Sequence, residues 1–369
     1  MRHQRDNTEY SLRILGKVEE LERVEAGWRD LVASSGHALS EPEWYLSAAK
    51  SGILDGKELA VLSLWRDGAL VGIAPLSRGS RRRRYEILGS STLYEPTEML
   101  AKDGQARNQL AAAVVDLRRP VLLSRLAPRG AFAQELGAQA RGKGLLLSLR
   151  SADSPYVDLS SGWSSYLEAL PSRTRNTLRR ASRALAKQGQ VAYEFVRPEP
   201  SAVPALLEVA FRVEQRSWKG RAGSAIAQRE DLRSFFLEYG RACAGRGELL
   251  IAFLRLEGDP IAMQIANVGR SAYRQLKIGY DDRFAKFLPG LQLLLETVRW
   301  SSNEGLSSYE FMGSREPWTW DWAPLGREHS TLAYYPYNVS GLGAFVEDGL
   351  ARLRGRFWRR RQAVAVPRA

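Results

Sequence analysis

The chain has 369 residues, a length that suits two domains, and a net charge of +13. Its single cysteine, Cys243, excludes an internal disulfide framework, and three scattered histidines argue against a zinc hydrolase, so we expect no metal. No apolar run of about 18 residues occurs, and the first residues lack an apolar signal-like stretch, which predicts a cytoplasmic protein. The basic charge favours an anionic partner: nucleic acid, acidic lipid or a phosphorylated cofactor.

Residues 1–150 alternate predicted helices and strands, which is typical of an α/β domain. Apolar residues at three- and four-residue steps predict a first helix around 18–31. Asp67 and Gly68 then connect strands 59–65 and 70–76 as a hairpin. A basic loop over 78–84 precedes, in order, a strand at 85–89, a helix at 104–118, a strand at 120–126, a helix at 132–141 and a strand at 145–149.

A polar break at 151–155 marks the predicted boundary of a second domain, residues 151–345. After a strand at 155–159, a helix begins at Trp163, pauses at Pro171 and continues to Gln188. Its second part carries basic residues at four-residue steps, Arg175, Arg179, Arg183 and Lys187. Such a basic face is either solvated or in contact with the phosphates of acidic lipid or tRNA.

The rest of the second domain is the most regular part of the chain. Helices at 203–218 and 229–246 precede three strands joined by short turns, at 248–256, 260–268 and 271–280. Pro289 and Gly290 then open an apolar helix at 291–301, followed by a strand at 308–312. The last segment, 346–369, interleaves aromatic residues with arginines, which is typical of an interfacial membrane helix or of a disordered basic tail.

Four stretches in this order resemble the Fem-like, or cellulose-biosynthesis-type, family of bacterial GNAT acetyltransferases. They are 170–180 (LPSRTRNTLRR), 217–225 (SWKGRAGSA), 277–296 (KIGYDD through PG to LLLE) and 310–314 (EFMGS) with Trp318 and Trp322. The resemblance implies an α/β fold of tandem GNAT-like domains, with mixed, mostly antiparallel sheets flanked by helices. It also implies transfer of an acyl group to an amine, from an acyl thioester or from an aminoacyl-tRNA.

Donor binding is assigned to the strand-to-helix connection and to two lysines. A helix N-terminus attracts phosphate, so Pro289, Gly290 and Leu291 are candidate cofactor-binding residues. GNAT enzymes usually carry a loop with several glycines there, whereas 287–292 (FLPGLQ) contains one, which leaves a tRNA donor open. Lys219 and Lys277 are the other candidates. We expect Lys277 on one strand face with Tyr273, Gln275 and Gly279, meeting either solvent or an anion.

The candidate catalytic residues are Asp281, Tyr280 and Glu214. Asp281, at a strand end, could take the proton of the attacking amine, although an Asp-Asp pair is also ordinary turn chemistry. Glu214 is a weaker candidate because helix carboxylates usually face water. No convincing Ser/His/Asp or Cys/His set occurs, so we expect direct attack, with backbone N–H groups of strand 271–280 stabilising the oxyanion.

Trp218, Trp318 and Glu316 are candidate substrate-binding residues. If 318–322 were a strand, the rings of Trp318, Trp320 and Trp322 would share one face, as a wall for an acyl chain or as core packing between the halves.

We therefore expect an acyl-CoA-dependent N-acyltransferase for a lipid-like or envelope-precursor amine such as a sphingoid-type base, with peripheral contact to the inner membrane face. The alternatives are a Fem-like aminoacyl-tRNA transferase, a user of acyl carrier protein, and a non-enzymatic module that binds anionic surfaces.

Overall fold

The computed structural model describes residues 10–35, 38–79 and 84–364, with the side chains at 34, 35, 38 and from 353 onward excepted. Most of the basic loop at 78–84, namely 80–83, lies outside the described residues, as do the side chains of the aromatic and basic residues predicted for the tail beyond 352.

The first half contains nine strands and six helices. In chain order they are β1 (Tyr10–Leu15), α1 (Val18–Arg23), α2 (Glu25–Ser35), α3 (Pro42–Lys50), β2 (Glu58–Leu59), β3 (Val61–Arg66), β4 (Ala69–Ala74), β5 (Leu76–Arg78), β6 (Tyr85–Ile87), α4 (Ser90–Leu93), β7 (Leu100–Ala101), α5 (Gly104–Asp116), β8 (Val121–Leu126), α6 (Ala131–Ala140) and β9 (Gly144–Arg150), as far as the chain is described. Asp67 and Gly68 both have positive φ, at 52° and 77°, as a tight hairpin between β3 and β4 requires.

The second half continues with strands and helices to residue 364. They are β10 (Ser154–Asp158), α7 (Gly162–Ala169), α8 (Ser172–Ala186), β11 (Val191–Val196), α9 (Val203–Gln215), α10 (Trp218–Arg221), α11 (Glu230–Gly245), β12 (Leu249–Leu256), β13 (Asp259–Gly269), β14 (Ala272–Tyr280), α12 (Pro289–Asn303), β15 (Ser308–Glu310), β16 (Leu325–Arg327), β17 (Ser330–Pro336) and α13 (Val339–Val364). The three hairpin strands and the helix opened by Pro289 are present as predicted, whereas β11, which pairs with β12, was not predicted.

Three sheets organise these elements. Their strand orders are β1-β3-β4-β7, β2-β5-β6-β8-β17-β9 and β11-β12-β13-β14-β15-β10-β16. β17 lies between β8 and β9 of the first half, because it is apolar on both faces: Leu332 and Tyr334 join the large core, and Ala333 and Tyr335 pack under α13. The predicted second domain, residues 151–345, therefore contains a strand, β17, that completes the sheet of the first half. The predicted tail boundary at 346 falls inside α13.

One hydrophobic core runs through both halves. Trp44 on α3 meets the rings of Phe235 and Tyr239 on α11 edge-on, with centroids 4.9 and 5.0 Å apart. The same buried cluster includes the apolar faces of α5, α9, β12 and β13. Burial of aromatic surface across this contact holds the halves together.

A β-bulge in β14 corrects one expectation about strand faces. Ile265 pairs with Lys277 and the next residue, Ala266, pairs with Gln275, so Leu276 is the extra residue. Tyr273 and Gln275 consequently face α12, while Lys277 and Gly279 face α9 and α11. The prediction that all four share one face is wrong, because strict alternation does not survive an inserted residue.

Candidate active site

The sheet of the second half opens between β14 and β15. These parallel strands pair only where Ala272–Arg274 runs beside Ser308–Glu310. Beyond Arg274, β14 continues to Tyr280 with no strand partner on that side among the described residues, and after Glu310 the chain turns away through Met312, whose φ is 54°. The result is a notch with backbone groups of β14 along its edge.

The polar backbone groups at this edge follow from strand alternation. The N–H of Asp281 donates to the carbonyl of Ile261, toward β13. Residues one position out of phase, Ile278 and Tyr280, therefore direct their N–H and C=O groups into the notch. The Ile278 carbonyl accepts a 2.8 Å hydrogen bond from Lys219 Nζ. The N–H groups of Ile278 and Tyr280 donate to no other described residue on this side of β14.

The N-terminus of α12 forms the opposite wall. Leu288 adopts a left-handed conformation, with φ 53°, and its carbonyl accepts from the N–H groups of Leu291 and Gln292. Gly290 allows close packing, since a Cβ there would lie 3.0 Å from Tyr280 Cδ1. A glycine at this position therefore sets how near α12 comes to the strand end.

Between these walls lies a cavity of about 580 Å³, a volume typical of small-molecule sites. It collects seven of the residues proposed from sequence, namely Trp218, Lys219, Tyr280, Gly290, Leu291, Glu316 and Trp318. The remaining lining is mostly backbone and apolar side chain, contributed by Ser217, Ile278, Gly279, Ala285 and Leu288. Four other candidates, Asp281, Glu214, Lys277 and Pro289, are not among the lining residues.

The carboxylate of Asp281 is only 1% exposed and is engaged elsewhere. It accepts hydrogen bonds from the backbone N–H and the guanidinium of Arg283, the shortest being 2.7 Å, and lies 3.6 Å from Arg216. Burial alone would raise the pKa of Asp281, but the hydrogen bonds from Arg283 hold it below its usual range. A carboxylate held ionised in this way is a weak base, and its contacts are those of a turn and helix cap.

The second predicted carboxylate, Glu214, is buried on α9 behind the cavity. Its Oε1 accepts from Lys219 Nζ at 2.8 Å and its Oε2 accepts from the N–H of Ile226 at 2.9 Å. Glu214 therefore fixes Lys219, and through it the Ile278 carbonyl, at the edge of the notch.

Comparison with known proteins identifies this arrangement. Residues 172–319, which contain the notch, α12 and the cavity, match the family model described as an acetyltransferase (GNAT) domain. The segment is a GNAT acetyltransferase domain. The GNAT part of the resemblance and the class of enzyme, an acyltransferase, are thereby confirmed. No curated protein sequence matches the chain.

Solved structures support the GNAT fold over both halves. FemX aligns with a TM-score of 0.57 at 12% identity, covering 89% of this chain and 98% of that one. The C-terminal domain (DUF2156) of a protein described as a lysylphosphatidylglycerol synthetase from Agrobacterium fabrum gives 0.54 and 12%, over 89% and 96% of the chains. A conserved protein from Bacteroides thetaiotaomicron gives 0.52 and 9%, over 88% and 99%. The expected tandem GNAT-like α/β fold is confirmed.

Lys277, which was predicted to bind the donor, lies behind the notch, on the side of the sheet that faces α9 and α11. Its Nζ is 5.5 Å from the centroid of the Phe236 ring. Burial, followed by the neighbouring Lys219 ammonium, lowers the pKa of Lys277. The bulge at Leu276 explains this placement.

The three tryptophans do not form a strand face. Pro317–Thr319 is a short 3-10 turn, in which the Thr319 N–H donates to the Glu316 carbonyl. Trp318 lines the cavity, Trp320 is 59% exposed beneath the Arg315 guanidinium, and Trp322 is buried in the core. The expectation of one shared face is wrong because Pro317 starts a helical turn.

A buried polar network beneath the notch was not anticipated. The Tyr309 hydroxyl lies 3.0 Å from Gln264 Oε1, 2.8 Å from Gln275 Oε1 and 3.1 Å from Thr297 Oγ1, and the Tyr273 hydroxyl also donates to Gln264. Glutamines inside apolar strands were the sequence signal for it. The network fixes β15 to β14 where the two strands begin to part.

A basic depression lies beside the start of α12. It is lined by Arg180, Arg183, Lys187 and Lys286 together with Phe287, which directly precedes the cavity residue Leu288. Within residues 10–35, 38–79 and 84–364, no three His, Cys, Asp or Glu side chains converge as a metal site would require. No helix of the described chain is long and apolar enough to cross a bilayer.

Proposed function

We propose that the chain transfers the acyl group of an acyl-CoA to the amine of a second substrate, with the thioester held in the cavity between β14 and α12. The observation that carries the proposal is the unpaired stretch of β14, where the N–H groups of Ile278 and Tyr280 face a cavity of about 580 Å³. Donors fixed in this way stabilise a tetrahedral oxyanion without reorganising.

The shape of the cavity suits the apolar part of the donor. The acyl chain and the pantetheine arm would lie against Leu291, Leu288 and Trp318. The thioester carbonyl would accept a hydrogen bond from the strand edge. Binding of this kind positions the carbonyl for attack and accounts for much of the rate of a bimolecular transfer.

The charged part of the donor would lie over the basic depression. Arg183 and Lys286 flank the chain segment that leads into α12, and both are exposed and make no ion pair within the described residues. A nucleotide with three phosphate groups is attracted there by charge and by the positive end of the helix dipole. This arrangement replaces the several glycines that the sequence lacks.

The reaction would form a C–N bond and break the C–S bond. A neutral amine attacks the thioester carbon, and the proton it loses passes to Glu316, an exposed carboxylate on the cavity wall without an ion-pair partner among the described residues. Tyr280, whose ring packs on Gly290, donates its hydroxyl proton to the leaving thiolate and recovers, through water, the proton that Glu316 accepted. Asp281 and Glu214 serve as positioning residues.

The acceptor we propose is a lipid-like or envelope-precursor amine, reached by a cytoplasmic protein lying against the inner membrane face. Leu342, Val346 and Leu350 on α13 are 66%, 49% and 49% exposed and lie four residues apart, so they form one apolar stripe. Arg352 and further arginines follow in the sequence. Co-sedimentation with phosphatidylglycerol vesicles should occur, and should disappear in Leu342→Asp/Val346→Asp; equal sedimentation of that variant would contradict the membrane contact.

The test of the donor site is to fill the cavity. Ala285→Trp should reduce CoA release from acetyl-CoA or palmitoyl-CoA by at least about 100-fold and abolish their thermal stabilisation of the fold. Ala131→Trp, at an exposed position on α6, is the matched control and should keep both. Stabilisation by tRNA but by no acyl-CoA would overturn the proposal in favour of an aminoacyl-tRNA donor.

A further inference from the structure

A second cavity lies at the other end of β14, between the two halves. Its volume is about 450 Å³, and its lining includes Arg125 and His329 from the first half's sheet region and Arg270 and Arg274 from the β13–β14 hairpin. Arg274 and Ile278, which belong to the two cavities, are separated by about 13 Å of strand. The second cavity is therefore separate from the donor site.

Arg125 is the most deeply buried cation in this cavity. It is 0% exposed, and it donates from Nη2 to Ser154 Oγ and the Gly313 carbonyl, each at 2.5 Å, and from Nη1 to Ser314 Oγ. Its Nε has no hydrogen-bond partner, and it forms no ion pair with a described residue. The buried carboxyl of Glu95 acts on it at longer range, but burial raises the pKa of Glu95 and favours its uncharged form. A buried guanidinium with only neutral acceptors retains most of the cost of leaving water.

Arg274 is a second cation of this kind. Both of its hydrogen bonds to described residues leave from Nη1, to Asn267 Oδ1 at 3.3 Å and to the Gly269 carbonyl at 2.9 Å. Burial lowers the pKa of Arg274, as expected for a guanidinium whose charge is poorly compensated. Arg270, which binds the Val32 carbonyl, adds a third positive charge at the mouth.

The acidic residues of the lining do not neutralise these arginines. Glu310 is committed to Arg327, with two hydrogen bonds of 2.5 and 2.9 Å. Burial raises the pKa of Glu98 to about 7, so at neutral pH this carboxyl is partly protonated. Glu328 is exposed at the rim. Glu41 and Glu248, which also act on Arg274, are both ion-paired with Arg246. The interior of the cavity therefore keeps a positive excess.

His329 adds a hydrogen-bond acceptor. Ser154 Oγ donates to the Gly313 carbonyl, so in its 3.0 Å contact with His329 Nε2 the serine accepts. The lone pair of the imidazole is then on Nδ1, which is buried and has no partner. A ligand that offers both oxyanion oxygens and a hydroxyl satisfies the arginines and this nitrogen together.

We propose that the cavity between the halves is a binding site for a phosphate group, either free or as the monoester of a small molecule. Phosphate presents oxygens to planar guanidinium donors. Inorganic phosphate keeps a hydroxyl for His329 near neutral pH, whereas a monoester, with a second pKa of about 6, donates one only in its monoanionic form. A bound phosphate touches Arg125 of one half and Arg274 of the other, so it stabilises their contact. The proposal does not depend on the transferase reaction.

Thermal unfolding of the full chain in sodium phosphate, sodium sulfate and sodium chloride at equal ionic strength tests the site. Phosphate should raise Tm by about 2 °C or more over chloride and by more than sulfate does. Arg274→Met and, separately, the more exposed Arg270→Met should lose this difference, whereas Arg141→Met, at an exposed position on the first half, should keep it. A Tm difference that persists in either cavity variant, or an equal effect of sulfate, would overturn the proposal.

Discussion

The two ends of β14 differ in which groups are left for a ligand. At the Tyr280 end the charged side chains that contact the strand, Lys219 and its partner Glu214, are paired with each other, and no described residue accepts from the backbone N–H groups of Ile278 and Tyr280. At the Arg274 end the backbone is paired in the sheet, and Arg125 and Arg274 form no ion pair within the described part of the chain. Free backbone groups fix a carbonyl at one geometry and tolerate varied chemistry beyond it, whereas unpaired arginines select for charge. One strand thus supports a geometric site and an electrostatic one.

The largest effect on stability is expected at the Tyr280 end of β14, where Lys219 is paired with Glu214. Lys219→Met leaves the carboxylate of Glu214, whose side chain is only 2% exposed, without its cation, and should lower the free energy of unfolding by about 3 kcal/mol in urea titrations. Lys219→Met/Glu214→Gln should recover more than half of that loss, because the amide still accepts from the Ile226 N–H. Simple additivity of the two changes would show that the pair is not coupled.

The second prediction concerns His329, which lines the cavity at the Arg274 end of β14, and the pH dependence of stability that it causes. Burial lowers the pKa of His329 to about 4, below its ordinary value of 6.5. The unfolded chain then binds the proton first, so His329 should reduce stability as pH falls from 6.5 to 4, by about 2 kcal/mol.

The measurement is the difference in unfolding free energy between the natural chain and His329→Gln across that range. This difference is needed because Glu41 and Glu98 also change the stability of the fold with pH. Burial raises their pKa values to about 7, so both carboxyls make the fold less stable as pH rises from 4.5 to 7, the opposite of the effect of His329. A difference that does not change with pH would mean that His329 titrates normally.

The third expectation returns to the geometric site. A Cβ at Gly279 would lie 3.1 Å from the Cα and Cβ of Glu214, so Gly279→Ala must push β14 away from α9. We expect a loss of roughly 1–2 kcal/mol in stability and weaker stabilisation by acyl-CoA. Gly343→Ala on α13, where a Cβ meets nothing within 4 Å, is the control and should be neutral or slightly stabilising. Unchanged donor binding in Gly279→Ala would show that this spacing does not shape the notch.

The site at the Tyr280 end of β14 was predicted from the sequence better than the site at the Arg274 end. Hairpin turns and the Pro289 helix start are local signals, so the β12–β14 meander and α12 follow from them, and seven candidate residues meet in one cavity. The strand face on which Lys277 lies was predicted wrongly, because the bulge at Leu276 depends on packing against both faces of the sheet and leaves no local signal. The site around Arg125 requires β17 to pair with β8 of the first half across just over 200 residues of chain, a contact that no local pattern reveals.

The smallest expected effect separates the two kinds of recognition at the donor site itself. If the basic depression binds only the phosphates of CoA, Lys286→Glu should raise the KM for acyl-CoA about tenfold, roughly 1.4 kcal/mol, and leave kcat nearly unchanged. The same variant should use acyl-pantetheine, which has no phosphates, as well as the natural chain does. Arg141→Glu, a charge reversal of equal size far from the depression, controls for the general field of the protein, and added salt should shrink the Lys286→Glu effect. An equal loss with both donors would mean that Lys286 acts through the cavity wall at Leu288, and the geometric and electrostatic parts of this site could then not be separated.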